Sequence, residues 1–240
     1  MNIFVLTDNR VWFKKAKEVF LKNNFDVRIY CSPLGAGLFE KEIKSGEIQI
    51  LDVKESTSFL IENFELGFSC HCKQIFPTNL VEKVRCINIH PGLNPYNRGW
   101  FPQVFSIINK KPVGATIHLM DKEVDHGDIL YQQEVEVFEW DTSKNVYERV
   151  LETEIQLFEE HFNELISGTY VSQKMAVEGN YNSIKDYKSL LEIDLEEKLT
   201  MREAIDFLRA MTHQRYKNAY FFTNKGEKVF VALDLEKENI

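Results

Sequence analysis

Asn2-Ile3-Phe4-Val5-Leu6-Thr7 and Asp26-Val27-Arg28-Ile29-Tyr30-Cys31, with the helix-patterned residues 11–23 between them, decide the fold. The flanking runs are apolar and rich in β-branched and aromatic residues, and strand, helix, strand at this spacing predicts a parallel sheet covered on both faces. The alternation continues outward. Strands are predicted at 48–52, 66–69 and 86–90, and helices at 38–45 and 56–63. Ligands in such sheets collect beyond the carboxyl ends of the strands, so the residues just after each strand are the ones to inspect.

A second pattern follows: a helix over 101–109, then strands over 113–120 and 128–137 joined by a polar loop. Residues 142–167 predict the longest helix, with Thr142 as N-cap, a stripe through Val146, Val150, Phe158, Phe162 and Leu165, and Gly168 as the stop. Residues 170–199 are highly charged and weakly periodic. A short helix over 200–211 precedes strands 219–223 and 228–235, which flank the hairpin signal Asn224-Lys225-Gly226-Glu227. The expected fold is α/β, a Rossmann-like, mostly parallel sheet with helices on both faces, plus a small C-terminal helix and β-hairpin. The expected division is a catalytic domain over 1–168, a linker over 169–199, and a tail over 200–240 for substrate binding and dimer contact.

The chain has 240 residues, of which 29 are Lys or Arg and 37 Asp or Glu, a formal net charge of -8. A protein that grips a long phosphate backbone usually carries a basic surface, so nucleic acid and anionic membrane are poor partners for this one. No apolar window is long enough for a transmembrane helix, and the N-terminus lacks the flank and cleavage site of a signal peptide. A cytoplasmic location is expected. The 4 cysteines do not make a disulfide framework. In Cys70-His71-Cys72, consecutive extended residues point to opposite faces, and no second Cys/His pair stands at zinc spacing; no metal is expected.

Two stretches can carry chemistry. Asn88-Ile89-His90-Pro91-Gly92-Leu93-Asn94-Pro95-Tyr96-Asn97-Arg98-Gly99-Trp100 begins at a strand end, where Asn88 and His90, two apart, share one face. Such a pair either stabilises an oxyanion and manages a proton, or satisfies loop backbone groups; spacing alone leaves both open. Asp121-Lys122-Glu123-Val124-Asp125-His126-Gly127-Asp128-Ile129 is either a solvated hairpin tip or a loop whose carboxylate sets the protonation of His90. His118 and His161 read as structural.

Together, Asn88-x-His90-Pro91, the long turn ending at Gly99, and Asp125-x-Gly127-Asp128-Ile129 resemble the folate-dependent formyltransferase family, over roughly residues 2–168. The resemblance implies a Rossmann-like fold, 10-formyltetrahydrofolate as donor, and Asn88, His90 and Asp125 as the catalytic residues. It implies a folate site formed by Cys72, Lys73 and Gln74 on one side and Asp121, Val124 and Asp125 on the other. Asn88 and a protonated His90 would donate to the developing oxyanion.

For the acceptor, Thr7-Asp8-Asn9-Arg10 lacks the glycine-rich phosphate loop of the purine-pathway branch, and the acidic chain lacks the basic domain of the tRNA branch. Tyr96-Asn97-Arg98-Gly99-Trp100-Phe101-Pro102-Gln103 and Phe207-Leu208-Arg209-Ala210-Met211-Thr212-His213 look similar to the sugar-nucleotide branch. That implies a nucleotide-linked amino sugar, dTDP-4-amino-4,6-dideoxyglucose, formylated for surface-polysaccharide (O-antigen) synthesis. Asn9, Lys73, Trp100, Gln103, Arg209, His213 and Tyr216 are the expected acceptor contacts, with Arg215 and Lys217 as further tail cations; Tyr216 would stack on the pyrimidine. Trp100 and Gln103 serve equally well as caps of the next helix, and the tail reads equally as an amphipathic helix and solvated turn. The alternatives are a formyltetrahydrofolate hydrolase and a non-catalytic folate or nucleotide binding module. The apolar hairpin, with Tyr220, Phe221, Phe222, Phe230 and Val231, predicts a homodimer.

Overall fold

In the computed structural model, which describes residues 1–214 and 216–238, the first apolar run forms β1 (Ile3–Thr7), buried throughout. Arg215 of the tail, and Asn239 and Ile240 of the 200–240 segment, lie outside the described residues. The chain continues through α1 (Arg10–Lys22), β2 (Arg28–Cys31), α2 (Glu40–Lys44), β3 (Gln49–Ile50), α3 (Thr57–Asn63), β4 (Leu66–Cys70), α4 (Thr78–Val81) and β5 (Arg85–His90). Next come β6 (Arg98–Gly99), α5 (Pro102–Asn109), β7 (Val113–Leu119), β8 (Ile129–Val135), α6 (Ser143–Glu160) and α7 (Phe162–Ser167). The remainder is β9 (Tyr181–Asn182), α8 (Ile184–Ser189), α9 (Met201–Met211), β10 (Tyr220–Phe222) and β11 (Lys228–Phe230).

Two sets of residues form compact units: Met1–His90, Thr116–Gln132 and Glu154–Ala176 make one, Pro91–Ala115, Gln133–Thr153 and Val177–Ile240 the other. The seven-stranded sheet has the order β3-β2-β1-β4-β5-β7-β8. From β3 to β5 the pairing is parallel. Successive residues of β1 face opposite sides. Phe4 and Leu6 pack with Tyr30, Leu60, Phe64 and Leu80. On the α1 side, Trp12, Phe20, Phe68, Phe158 and Phe162 meet largely edge to face. Each fully buried aromatic or leucine of this kind stabilises the fold by about 1.5–3 kcal/mol. Asn9 starts α1, its side-chain oxygen accepting from the backbone N–H of Val11 at 2.8 Å and of Trp12 at 3.2 Å.

The departure from parallel pairing positions the site. β7 runs antiparallel to β5, with Asn88 opposite His118 and His90 opposite Thr116. β8 lies beyond β7, so the change of direction falls inside the sheet.

The helix expected over 142–167 is two helices. His161 stands between α6 and α7 with ψ 14°, its ring stacked on Tyr131 at 3.6 Å. Gly168 ends α7 in the left-handed region, φ 77°. Residues 169–199 are not a bare linker. Gln173 bridges antiparallel to Ile129, β9 pairs parallel with β6, and Ser183 with Asp186 forms a capping box for α8. Each piece is too short to show a period, which is why the segment looks featureless in sequence.

In the second unit α5 packs against α9 around Val104, Ile107, Val113, Val146, Val150, Ala210 and Met211. Thr200 caps α9 with Glu203 reciprocating, and β10 and β11 form the expected hairpin. Asn97 is buried, and its amide oxygen accepts from Asn109 at 2.8 Å and from Asn180 at 2.7 Å, tying the long turn to residues just before β9. No helix among the described residues is long and apolar enough to cross a membrane.

Candidate active site

β5 ends the parallel run with Asn88 and His90 on one face, and β7 sets His118 beside Asn88. The loop after β7 folds back on itself. The N–H of Leu119 donates to the carbonyl oxygen of Asp128 at 2.9 Å, and Gly127 lies so close to Leu119 that a Cβ there would run into its carbonyl oxygen. That contact is the physical reason for the glycine in Asp125-x-Gly127. Asp125 adopts φ 52°, a left-handed conformation that Asp tolerates better than most residues.

The Asp125 carboxylate then faces the strands. Its Oδ1 accepts from Asn88 Nδ2 at 2.9 Å and lies 3.6 Å from His90 Nδ1 and 3.7 Å from His118 Nε2. His90 is 3% and His118 1% exposed, so the Asp125 carboxylate acts on both rings with little solvent screening.

Counting protons fixes the amide. His118 Nδ1 lies 2.7 Å from the carbonyl oxygen of Leu119, which can only accept, so Nδ1 carries the hydrogen. Nε2 then faces the Asn88 Nδ2 at 3.2 Å, and since an amide nitrogen only donates, Nε2 is the acceptor. Both amide hydrogens of Asn88 are therefore held within the protein, one by Asp125 and one by His118. Turning the amide over would set its oxygen against a carboxylate. The oxyanion-donor role expected of Asn88 is not what this arrangement offers; the carbonyl oxygen is the group it presents. His118, read as structural from the sequence, is a further side chain in this cluster. Only knowledge that β7 pairs antiparallel with β5 would have drawn it out of an ordinary strand alternation.

At the ends of β1 and β4, Asp8 accepts from Ser32 N at 2.9 Å, Ser32 Oγ at 2.8 Å and the backbone N–H of Lys73 at 2.9 Å. Gln74 is committed to the chain: its Nε2 donates to the carbonyl oxygen of Leu51 and its Oε1 accepts from Val53 N, each at 2.9 Å. Cys72 Sγ accepts from Gln74 N at 3.5 Å, and burial pushes its thiol up to about 12. Asp121 pairs with His126 at 3.1 Å, and Val124 is exposed. Asn9 Nδ2 lies 3.3 Å from His71 Nδ1, whose other nitrogen meets the wholly buried Glu154 at 2.7 Å.

Asn88, His90 and Asp125 thus converge, and Asn9, Cys72, Lys73, Gln74, Asp121 and Val124 belong to the same unit. Trp100, Gln103, Arg209, His213 and Tyr216 belong to the other. There, Arg209 is 3% exposed; it donates through Nε to Asp206 at 2.7 Å and through Nη1 to the carbonyl oxygens of Phe138 at 3.0 Å and Asp141 at 2.7 Å. These are packing contacts of α9 rather than those of an open phosphate ligand. Gln103 is buried on α5, and Trp100 packs its ring near Phe101. His213 lies 3.2 Å from Ser143 Oγ, between the rings of Tyr147 and the exposed Tyr216, and burial lowers its pKa.

Two family models match the chain: a formyl transferase domain over residues 59–161 and an N-formyltransferase dimerization C-terminal domain over residues 186–237. The dTDP-4-amino-4,6-dideoxyglucose formyltransferase of Mycobacterium tuberculosis is 42% identical, with 99% of this chain and 98% of the relative covered. A crystal structure of a 4-N formyltransferase from Francisella tularensis superposes with a TM-score of 0.96 at 54% identity, covering 99% of this chain and 98% of the other. The formyltransferase PseJ of Anoxybacillus kamchatkensis, solved with UDP-4,6-dideoxy-4-formamido-L-AltNAc and tetrahydrofolate, has a TM-score of 0.63 at 26% identity, covering 79% of this chain and 89% of the other. With 42% identity to such an enzyme over nearly the whole of both chains, and with Asn88, His90 and Asp125 meeting at the end of β5, the chain belongs to the folate-dependent sugar N-formyltransferases.

Proposed function

We propose that the chain transfers the formyl group of 10-formyltetrahydrofolate to the 4-amine of dTDP-4-amino-4,6-dideoxyglucose. The observation that carries this reading is Asp125 Oδ1 gathering the Asn88 amide and two imidazoles at one strand end. The acceptor rests on the likeness to the mycobacterial enzyme, which acts on that sugar by name. The donor set suits the folate co-substrate: buried polar groups for the acyl centre, and the exposed Val124 beside Asp125 as apolar surface for a ring.

The reaction forms a bond from the sugar amine to the formyl carbon, breaks that carbon's bond to the folate nitrogen, and moves one proton from the first nitrogen to the second. Asn88 accepts an amine hydrogen through its carbonyl oxygen and aligns the nitrogen lone pair on the carbon. His90 in its protonated form donates to the formyl oxygen as negative charge develops there. Asp125 stabilises that imidazolium and relays the amine proton. The amine attacks only when neutral, so turnover falls in acid.

Acceptor binding by Asn9 and Lys73, in the unit that carries Asn88, His90 and Asp125, belongs to the same proposal. The dimerization-domain match and the exposed Phe222, Val229 and Phe230 support a homodimer through the hairpin. A role in surface-polysaccharide synthesis and a cytoplasmic location follow from this acceptor. The test is mass spectrometry of protein incubated with both substrates. One formyl group gained by the sugar nucleotide supports the reading; free formate with tetrahydrofolate and no sugar product overturns it in favour of a hydrolase.

A further inference from the structure

We propose that His118 is a positioning residue for formyl transfer: by accepting one amide hydrogen of Asn88 through Nε2, it keeps the Asn88 carbonyl oxygen turned toward the reacting amine. This rests on the functional reading above, and it adds a residue that touches neither substrate.

Two contacts of one ring carry it. Nδ1 donates to the carbonyl oxygen of Leu119 at 2.7 Å, and that bond makes Nε2 the acceptor, 3.2 Å from Asn88 Nδ2. Leu119 also roots the loop that carries Asp125, through its N–H to Asp128. The loop root thereby sets the tautomer, the tautomer sets the amide, and the amide's other hydrogen goes to Asp125 at 2.9 Å. The ring is 1% exposed, so water does not replace it as acceptor. Without Nε2, one hydrogen of Asn88 has no acceptor, and rotation of the amide to find one turns the carbonyl oxygen off line.

Two substitutions separate this from a packing role. His118→Gln places an amide oxygen where Nε2 stands and gives up the Nδ1 donor. His118→Asn keeps a donor for Leu119 and leaves nothing at Nε2. A residue that only tethered Leu119 would tolerate Asn better than Gln; the positioning role demands the reverse. In His118→Asn, kcat falls by about 30- to 100-fold while both KM values stay within about threefold, and His118→Gln keeps kcat within about fivefold of wild type. Asparagine equal to or better than glutamine overturns the proposal.

Exchange of the Asn88 side-chain amide protons with water, followed by NMR, reads the same arrangement without turnover. Both protons are protected in the wild type and in His118→Gln, and one is open in His118→Asn. If one proton is already open in the wild type, the proposal fails, even if His118→Asn does not fold. If the exchange contrast holds but no sugar nucleotide gains a formyl group, the link from His118 to Asn88 stands and the acceptor reading falls.

Discussion

His71 Nε2 stands 2.7 Å from Oε2 of Glu154, a carboxylate with no exposed surface that Trp12 Nε1 also approaches at 3.4 Å. Burial raises the Glu154 pKa above its ordinary 4.5, opposed by His71 and by the Trp12 hydrogen bond. A carboxyl group whose folded pKa is raised contributes stability that is fully present in acid and lost as pH rises through the folded value. Glu154→Gln keeps an acceptor for His71 and has no such loss. Thermal melting of the two proteins from acid to neutral pH should therefore drift in favour of the variant above pH 4.5. A gap that stays constant with pH, or moves toward the wild type, contradicts this.

Removing the His90 imidazole as His90→Ala should lower kcat by about 100- to 1,000-fold with modest change in the KM for folate. Asp125→Ala should cost about as much, because it strips one partner from Asn88 and the counter-charge from His90. Steady-state formyl transfer measures both. Turnover within twofold of wild type in either variant rules out its assigned role.

Gly127→Ala tests the loop. A methyl group there meets the carbonyl oxygen of Leu119, so the segment carrying Asp125 must move. We expect a loss of about 1–3 kcal/mol in stability by urea denaturation, with a fall in kcat larger than that loss alone explains. Full activity in this variant would mean that the placement of Asp125 has slack.

The cysteines should be inert. Burial pushes the thiol of Cys31 up to about 11 and those of Cys72 and Cys86 up to about 12, and raises that of Cys70 as well. Since the thiolate is the reacting form, iodoacetamide should label native protein slowly at mildly alkaline pH, and all 4 cysteines rapidly after denaturation. Fast labelling of the native protein would expose a reactive thiol that this packing does not allow.

The hairpin should hold two copies together. Phe222 and Phe230 are exposed on β10 and β11. Charge at both positions, Phe222→Asp with Phe230→Asp, should turn a dimer into a monomer in sedimentation velocity at micromolar concentration. A dimer that persists places the contact elsewhere.

Much of this was readable in the residues. The runs that became β1 and β4 are apolar because both sheet faces are covered, and both strands are buried throughout. Asn88, His90 and Asp125 were legible through the family resemblance, since spacing alone left their roles open. What escaped depends on partners distant in the chain. β9 has two residues and exists only because β6 lies beside it. Arg209 looks like a free cation until Asp206, Phe138 and Asp141 surround it. His118 looks like filler in a strand until the strand's direction is known.

The Asp8 carboxylate takes hydrogen bonds from Ser32 after β2 and from Lys73 after β4. One side chain therefore fastens three strand ends, so the shape of the Lys73 turn is bought during folding and not during ligand capture. A ligand arriving there meets a mould already set, and its binding forgoes little chain entropy. Loosening that knot would show itself as weaker occupancy at unchanged chemical rate, a defect of reception and not of reaction.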